Sequence, residues 1–314
     1  MASERATELV AGWPEDAPSA PEFSVLGHTS GSFRRPGSAR HRRVTLPHVA
    51  VGGRQLEVSR WLGSGSAGYV FAFAGKGAAE CEAVAVKTVR LDDEDQDYAG
   101  YELYREMAGK ECARLFVPTR MVVHGEYACF GMPCADGTLM AAVENGQADA
   151  AQATAVVARA LQQLHRDGFS YCDLKPNNVL VLRRGEALHI AFCDLGSLAR
   201  AGEAGSATYP PPDSPTGLNV PATEASAAWG LGAFLLTLLR GHDAPLKYDR
   251  DGGDFTEQQA EAWRRSAVEA LRRGALNVGA ATPAGRAIAL AATHPKTLGP
   301  LRALLEEASF AAAS

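Results

Sequence analysis

The feature that most constrains this chain is the eight-residue segment 171–178, which reads Tyr-Cys-Asp-Leu-Lys-Pro-Asn-Asn. It follows an amphipathic stretch at 150–165 and precedes an apolar run, a pattern that predicts a short ordered loop between a helix and a strand. Asp173, Lys175 and Asn178 share this loop. In phosphoryl transfer, a carboxylate orients and deprotonates the attacking hydroxyl, an ammonium offsets charge on the migrating group, and an amide oxygen binds magnesium. The segment therefore indicates phosphoryl-transfer chemistry.

A second acidic motif lies sixteen residues after Asn178. Asp194-Leu-Gly196 follows an apolar run at 188–193, where a carboxylate can hold a magnesium ion that bridges phosphates. A plain turn that contains an aspartate is the competing interpretation. Nine residues beyond Gly196, the segment 205–213 reads Gly-Ser-Ala-Thr-Tyr-Pro-Pro-Pro-Asp. Taken alone, that segment is also compatible with a proline-rich loop.

A glycine-rich segment, Gly63-Ser-Gly65-Ser-Ala-Gly68-Tyr-Val70, lies between two predicted strands. Where side chains are absent, backbone amides can approach phosphate oxygens closely. A dinucleotide-binding motif requires a helix directly after the glycines, whereas here the chain continues as a predicted strand from Tyr69. The context favours a loop folded over ATP, with a simple hairpin as the alternative.

Lys87 ends the apolar strand Val84-Ala85-Val86. A lysine at such a position is costly to bury unless its charge has a partner, and phosphate oxygens and a carboxylate would both serve. Glu106, nineteen residues later in a predicted helix, is the carboxylate we expect to pair with Lys87. Glu102, one turn earlier, is the alternative, and a solvated lysine at a strand end is a third reading.

Taken in order, these motifs resemble the signature set of the eukaryotic-type protein kinase family, in its serine/threonine form. The resemblance covers roughly residues 56 to 240. It implies an α+β, two-lobed protein kinase fold, with a small antiparallel β-sheet lobe that carries one main helix and a larger, mostly helical lobe. It also implies ATP and Mg2+ as cofactors, protein substrates as partners, and transfer of the γ-phosphate to serine or threonine hydroxyls.

The resemblance assigns roles residue by residue. The residues expected to bind ATP are Gly63, Gly65, Gly68, Val70, Ala85, Lys87, Met132 and Cys134. The residues expected to serve the transfer are Asp173, Lys175, Lys87 and Glu106, and those expected to hold magnesium are Asn178 and Asp194. Met132 would guard the back of the adenine pocket, and 133–135 would form the hinge. Ser206 would brace Asp173 and Lys175.

The sequence departs from the family pattern in the catalytic loop, where Tyr171-Cys172 replaces the usual His-Arg. The family's arginine normally receives a phosphate on the activation segment, and Cys172 has no charge to do so. Only eight residues, 197–204, separate the magnesium-binding motif from Gly205. We therefore predict that activity does not depend on activation-segment phosphorylation.

Further departures concern supporting residues of the larger lobe. Leu195 replaces a phenylalanine. Asp213 replaces the glutamate that usually pairs with an arginine of this lobe, and Arg286 and Arg302 are both candidates for its partner. Ala227 stands where the family usually has an aspartate that anchors the catalytic loop.

The sequence outside the motifs sets the expected domain limits. Residues 1–50 show no periodicity, which predicts a disordered tail, and the kinase domain is expected over 51–314, with lobes at about 51–135 and 136–314. The predicted strands are 56–62, 69–74, 83–89, 117–123 and 127–132, and a helix is expected to run to about 115. The tail carries a basic patch, suited to an acidic partner or to nuclear targeting unless it is merely solvated, formed by Arg34, Arg35, Arg40, Arg42 and Arg43.

Charge and composition exclude other classes of partner. A net charge of -5 predicts no general attraction to nucleic acid or membranes. The longest apolar stretch, 225–239, is too short to cross a bilayer and is typical of a buried helix. Six cysteines without metal-ligand spacing indicate reduced thiols and an intracellular protein, cytoplasmic or nuclear.

Two rival functions and one expectation about origin remain. The first rival is a pseudokinase that binds nucleotide or partners without transfer, which the retained catalytic residues disfavour. The second is a small-molecule phosphotransferase of the same fold, which Lys175 and the 205–213 segment disfavour. A compact form with drifted supporting residues beside intact catalytic ones resembles kinases of large DNA viruses, herpesvirus-like ones among them, and this resemblance implies a viral protein.

Overall fold

The computed structural model describes residues 7–34, 41–64, 68–77, 83–91, 96–211, 219–241, 257–279, 281–293 and 295–313. The chain divides into two compact units. The larger unit contains residues 1–13, 103–116 and 136–314, and the smaller unit contains 14–102 and 117–135. Helices and strands together give the α+β class that the sequence predicts.

The described strands are, in chain order, β1 (Glu8–Ala11), β2 (Phe23–Arg34), β3 (His41–Val51), β4 (Arg54–Gln55), β5 (Glu57–Ser64), β6 (Gly68–Ala74), β7 (Val84–Arg90), β8 (Arg120–His124), β9 (Tyr127–Pro133), β10 (Gly137–Thr138), β11 (Phe169–Tyr171), β12 (Val179–Arg184), β13 (Ala187–Phe192), β14 (Leu198–Arg200), β15 (Ala204–Ser206) and β16 (Asn219–Pro221). The described helices are α1 (Gln96–Glu106), α2 (Leu139–Glu144), α3 (Ala150–Arg166), α4 (Glu224–Arg240), α5 (Glu257–Val278), α6 (Pro283–Ala291) and α7 (Gly299–Ala313).

The smaller unit is built on a five-stranded antiparallel sheet in the order β5-β6-β7-β9-β8. The five strands predicted between residues 56 and 132 are thereby confirmed, with small shifts at their ends. In the middle of the sheet, Lys87 of β7 is paired with Val70 of β6 and with Phe130 of β9. The sheet thus fixes the backbone at Lys87 from both sides.

A hairpin of β2 and β3 covers one face of this sheet, so the prediction of a disordered tail over residues 1–50 is wrong for the part of that range that the structure describes, 7–34 and 41–50. The two strands pair from Phe23↔Val51 to Arg34↔His41. Their buried side chains join those of the sheet in one apolar cluster that contains Phe23, Val25, Val44, Val49, Phe71, Phe73, Val84, Val86 and Cys129. Burial of this apolar area offsets the entropy cost of ordering the segment. In the basic patch, Arg43 is exposed, while Arg35 and Arg40 lie outside the described residues.

The first strand, β1, belongs to the larger unit. It pairs in parallel with β13 and extends a four-stranded sheet in the order β1-β13-β12-β10. Trp13, which follows β1, is 5% exposed, and its amide donates to the carbonyl of Arg114. The segment before the hairpin is therefore also part of the folded structure.

The helices of the larger unit match the sequence in part. Both α3 and the apolar helix α4 form as predicted, and α4 buries Trp229 and Phe234 completely. The helix expected to run to about 115 ends at Glu106 instead and is followed by a 3-10 helix at Glu111–Leu115. Gly109 lies between them with a φ of +83°, a conformation that ends a helix and favours glycine. None of the helices within the described residues is both long and apolar enough to span a membrane.

Candidate active site

The predicted catalytic loop begins at the end of β11 and is anchored by Tyr171. The ring of Tyr171 is 1% exposed and stacks on Phe192 with a centroid distance of 4.6 Å. Its hydroxyl donates to the carbonyl oxygen of Cys193 at 2.5 Å. Ala227, where the family usually has an anchoring aspartate, is buried in α4. Tyr171 therefore ties the loop to the chain just ahead of Asp194.

Asp173, Lys175 and Asn178 converge within this loop, as their spacing indicates. Lys175 Nζ lies 2.5 Å from Asp173 Oδ2, and Asn178 Nδ2 lies 3.3 Å from the same oxygen. The backbone amide of Thr208 donates to the other oxygen, Asp173 Oδ1, at 2.7 Å. With Asp173 9% exposed, its carboxylate is held in one orientation by three donors.

Asp194 directly follows a residue that is hydrogen-bonded to Asn178. The backbone amide of Cys193 donates to the carbonyl oxygen of Asn178 at 2.9 Å. Asp194 itself has a φ of +66°, and among the described residues no other non-glycine residue has a positive φ. A strained backbone of this kind persists only where the surroundings enforce it, and such positions cluster at functional sites.

The pKa of Tyr171 reflects its burial and the charged groups around it. Burial is the largest cause that raises the pKa of Tyr171 well above its ordinary value, and the charges of neighbouring groups add to it. Asp194 and Asp173 are among those groups. The phenol therefore stays protonated at neutral pH and remains the donor to Cys193.

The donors at this site fit a magnesium ion that also binds phosphates. Asn178 uses its amide nitrogen toward Asp173, so its oxygen is the atom that can bind a cation. Asp194 adds a carboxylate, and hard oxygen ligands of these two kinds suit Mg2+. The described residues contain no group of three or more His, Cys, Asp or Glu that could hold a metal alone.

The residues expected to bind ATP lie in the smaller unit, around the middle of its sheet. Ala85 is paired with Met132, so these two side chains share one face of the sheet with Lys87. Gly131 faces the other way, because a Cβ built there would lie 2.3 Å from the ring of Phe23. Met132 is 8% exposed, as a residue at the back of a pocket would be.

The glycine-rich segment is described only in part. Gly63 lies in β5, Val70 lies in β6, and Gly65 lies outside the described residues. A Cβ on Gly68 would lie 2.1 Å from the carbonyl oxygen of Thr88, so glycine is needed there for the close approach of β6 to β7. Cys134 follows β9 within the predicted hinge and is partly exposed.

The charge partner that the structure gives to Lys87 is Asp97, not the predicted Glu106. Lys87 Nζ lies 2.6 Å from Asp97 Oδ1, and the two side chains are only 12% and 6% exposed. Asp97 stands in the first turn of α1, where a negative charge is also favoured by the helix dipole. In the sequence, Asp97 belongs to an acidic run at 92–97, and such a run by itself predicts only the start of a helix.

Glu106 instead forms an ion pair with Arg200 of β14. Both side chains are about half exposed, at 49% for Glu106 and 45% for Arg200. The spacing of nineteen residues does not reveal this, because α1 ends at Glu106 and the last turn of a helix can point its side chains away from the sheet. Glu102, the alternative, is partly exposed in α1.

The hydroxyl that contacts Lys175 belongs to Thr208, not to the predicted Ser206. Lys175 Nζ lies 3.5 Å from Thr208 Oγ1. Ser206 is the last residue of β15, which pairs with β16, and its register partner is Asn219. The brace of the catalytic loop is therefore made two residues later than the resemblance implies.

We expect Thr208→Ala to lower kcat by roughly 5- to 10-fold, because one hydrogen bond of about 1 kcal/mol to the catalytic lysine is lost. Ser206→Ala should change kcat by less than that, and Thr208→Ser should restore most of the loss. Steady-state transfer assays on the three variants provide the measurement. A greater loss in Ser206→Ala than in Thr208→Ala would return the bracing role to Ser206.

The arginine partner of Asp213 cannot be assigned, since Asp213 lies outside the described residues. Of its two candidates, Arg286 forms an ion pair with Glu307 at 2.6 Å. Arg302 donates to Gln162 at 2.7 Å.

Comparison with known proteins agrees with this geometry. The family described as "Protein kinase domain" matches residues 56–271. The chain is 35% identical over 135 residues to serine/threonine-protein kinase PkaA of Streptomyces coelicolor, a match that covers 38% of this chain and 24% of the relative. It is 34% identical over 183 residues to the human serine/threonine-protein kinase SBK2, which covers 51% of this chain and 50% of the relative.

A third similar protein is the probable serine/threonine-protein kinase pXi of Dictyostelium discoideum, 29% identical over 140 residues. That match covers 41% of this chain and 19% of the relative. The chain thus spans half or less of the length of these relatives.

Proposed function

This chain belongs to the protein kinase family, and on that premise we propose that it transfers the γ-phosphoryl group of ATP to serine and threonine hydroxyls of protein substrates. The observation that carries the proposal is the carboxylate of Asp173, fixed between Lys175 and Asn178 in one loop. These are the groups that phosphoryl transfer requires around the attacking hydroxyl.

Each residue has a distinct task in the proposed reaction. Asp173 orients the substrate hydroxyl and accepts its proton as the oxygen attacks the phosphorus. Lys175 remains beside that carboxylate and offsets negative charge on the transferred group. Asn178 and Asp194 would hold magnesium, which supplies charge neutralisation on the phosphates when it is bound.

The nucleotide is assigned to the smaller unit. Gly63, Gly68 and Val70 would cover ATP, and Ala85 and Met132 would line the adenine pocket. Lys87 would bind the α and β phosphates. The hinge at 133–135, including Cys134, would present backbone groups to adenine. The protein kinase family uses ATP and Mg2+ in general, which supports the assignment.

The serine/threonine class is supported by Lys175 within Asp-Leu-Lys and by the names of the three relatives. The test is incubation of the purified chain with magnesium, γ-labelled ATP and a general protein substrate, followed by separation of the phosphoamino acids. We expect label in phosphoserine and phosphothreonine. Label only in phosphotyrosine would contradict the class.

The same assay separates the two rival functions. Nucleotide binding without transfer to protein, to small molecules or to water would favour a pseudokinase. Transfer to a small hydroxyl compound but not to protein would favour a small-molecule phosphotransferase. Transfer to protein that persists after repeated purification and is lost in catalytic-loop variants would exclude both.

We also propose that activity does not require phosphorylation of the activation segment. Cys172 occupies the position of the family's phosphate-binding arginine, and burial raises the pKa of its thiol to about 12, so it carries no charge. Backbone pairing holds the segment instead, since β14 pairs with β11 and the amide of Cys172 donates to Ser197. Ser197 is 5% exposed, which makes it a poor phosphorylation site.

Phosphatase treatment tests this second proposal. Protein treated until mass spectrometry finds no phosphate on residues 197–208 is expected to keep its kcat within about twofold, because no phosphate-binding arginine has to be satisfied. Untreated protein passed through the same steps is the control. A large decrease in kcat that is reversed by preincubation with ATP would contradict the proposal.

Origin and location remain predictions. The three relatives come from a bacterium, human and Dictyostelium, and none bears on a source in a large DNA virus. We propose an intracellular protein that acts on other proteins.

A further inference from the structure

The ion pair of Lys87 and Asp97 is deeply buried in the smaller unit. With Nζ and Oδ1 2.6 Å apart and both side chains almost inaccessible, neither charge is well solvated. Removal of one partner from such a pair leaves an uncompensated buried charge, which is strongly unfavourable. The carboxylate of Asp97 is therefore a structural requirement of Lys87 in this conformation.

The start of α1 is also fixed over the strand that carries Lys87. Gly100 is buried in the helix, and one turn after Asp97 the ring of Tyr101 packs edge-on against Phe130, with centroids 6.0 Å apart. Phe130 is the register partner of Lys87 in the sheet. The first turns of the helix are thus held at the position where Asp97 meets the lysine.

We propose that Asp97 is the positioning residue that orients the Lys87 ammonium toward the phosphates of ATP, in the role that the family resemblance assigns to Glu106. The inference rests on the proposed kinase function. It follows from burial and distance within the smaller unit, together with the commitment of Glu106 to Arg200 in the larger one.

An exposed ion pair on the same strand serves as a comparison for the buried pair of Lys87 and Asp97. Arg90, three residues after Lys87 in β7, pairs with Glu126 at 3.1 Å, and the two side chains are 70% and 69% exposed. Exposed pairs of this kind contribute little. Glu126→Gln is therefore the matched control for loss of a carboxylate beside β7.

The experiment compares four carboxylate-to-amide variants, Asp97→Asn, Glu102→Gln, Glu106→Gln and Glu126→Gln. We expect Asp97→Asn to lower kcat/KM for ATP by roughly 10- to 100-fold, because the lysine loses its buried partner. Glu126→Gln should match the unaltered protein. A larger loss in Glu102→Gln or Glu106→Gln than in Asp97→Asn would overturn the proposal.

A purely structural role of Asp97 is separated by a double-mutant cycle with Lys87→Met, read as the affinity for ATP with magnesium. If Asp97 acts through Lys87, Asp97→Asn weakens binding in the unaltered protein but has little further effect in the Lys87→Met background. An equal effect in both backgrounds would show that Asp97 acts elsewhere.

Thermal unfolding keeps the test decisive where a single variant is poorly folded. Each single change removes one charge of this buried pair and keeps the other, whereas the double variant Lys87→Met/Asp97→Asn removes both charges. The decrease in Tm of the double variant should therefore be smaller than the sum of the decreases in the two single variants. If the unaltered protein transfers no phosphate at all, the proposed kinase function is wrong, but the role of Asp97 can still be tested. In that case the affinity of the four variants for ATP is compared, and Asp97→Asn is expected to lower it most.

Discussion

Asp173→Asn is expected to lower kcat by roughly 100-fold or more, with a much smaller change in KM for ATP. The asparagine cannot accept the proton of the substrate hydroxyl. It also disturbs the loop, because one of the two carboxylate oxygens is replaced by an amide NH2 group, which donates hydrogen bonds. In the unaltered protein, Asp173 Oδ1 accepts a hydrogen bond from the backbone amide of Thr208, and Oδ2 accepts from Lys175 and Asn178. In the variant, the new NH2 group would face the donor or donors at one of these two positions.

The matched control for this variant is Asp167→Asn. Asp167 lies six residues earlier in the same unit, at the end of α3, and accepts from Gln163 at 2.9 Å. The pKa of its carboxyl is lowered, chiefly by that hydrogen bond, so this carboxyl is ionised at neutral pH. Transfer by Asp167→Asn should match that of the unaltered protein. Equal rates for Asp173→Asn and the unaltered protein would mean that the base has been misassigned.

The second large effect is expected on stability, from Phe23→Ala. Phe23 is 8% exposed and lies in the apolar cluster between the hairpin and the five-stranded sheet. Truncation of a buried phenylalanine costs about 3 to 5 kcal/mol. Denaturant unfolding followed by fluorescence provides the measurement. Leu26→Ala, in the same strand but at a residue 61% exposed, should cost about 0.5 kcal/mol or less.

The contact between Phe23 and Gly131 allows a reciprocal check. Gly131→Ala should destabilise the unaltered protein, because the new methyl group would overlap the ring of Phe23. In the Phe23→Ala background the same change should cost much less, since the space is then open. Additive losses would show that the hairpin does not pack on β9 at this point.

The parts of the site that follow from the sequence are those fixed by residues close in the chain. Asp173, Lys175 and Asn178 lie within one short loop, so their convergence needs only local backbone geometry. The strands of the five-stranded sheet can also be predicted from the sequence, because their apolar runs are bounded by glycines and turns. Asp194 is joined to the loop by a contact of its neighbour Cys193, which spacing alone does not show.

The missed features depend on partners far away in the chain. The strands β2 and β3 mix Ser, His and Arg with their apolar residues, and a bulge between Val25 and His28 interrupts the alternation. Their apolar residues are recognised as core residues only when the sheet face that they cover is known. The partner of Lys87 was misassigned for the same reason, since a count of residues along α1 does not reveal which turn faces the sheet.

The hairpin of β2 and β3 also bears on how the protein should be handled in the laboratory. The family match begins at residue 56, after that hairpin, so a fragment trimmed to the match would expose Phe71, Phe73, Val84 and Val86 to water. An exposed apolar sheet face of this kind promotes aggregation. Such a fragment is expected to precipitate or to form large oligomers, and its inactivity would say nothing about catalysis.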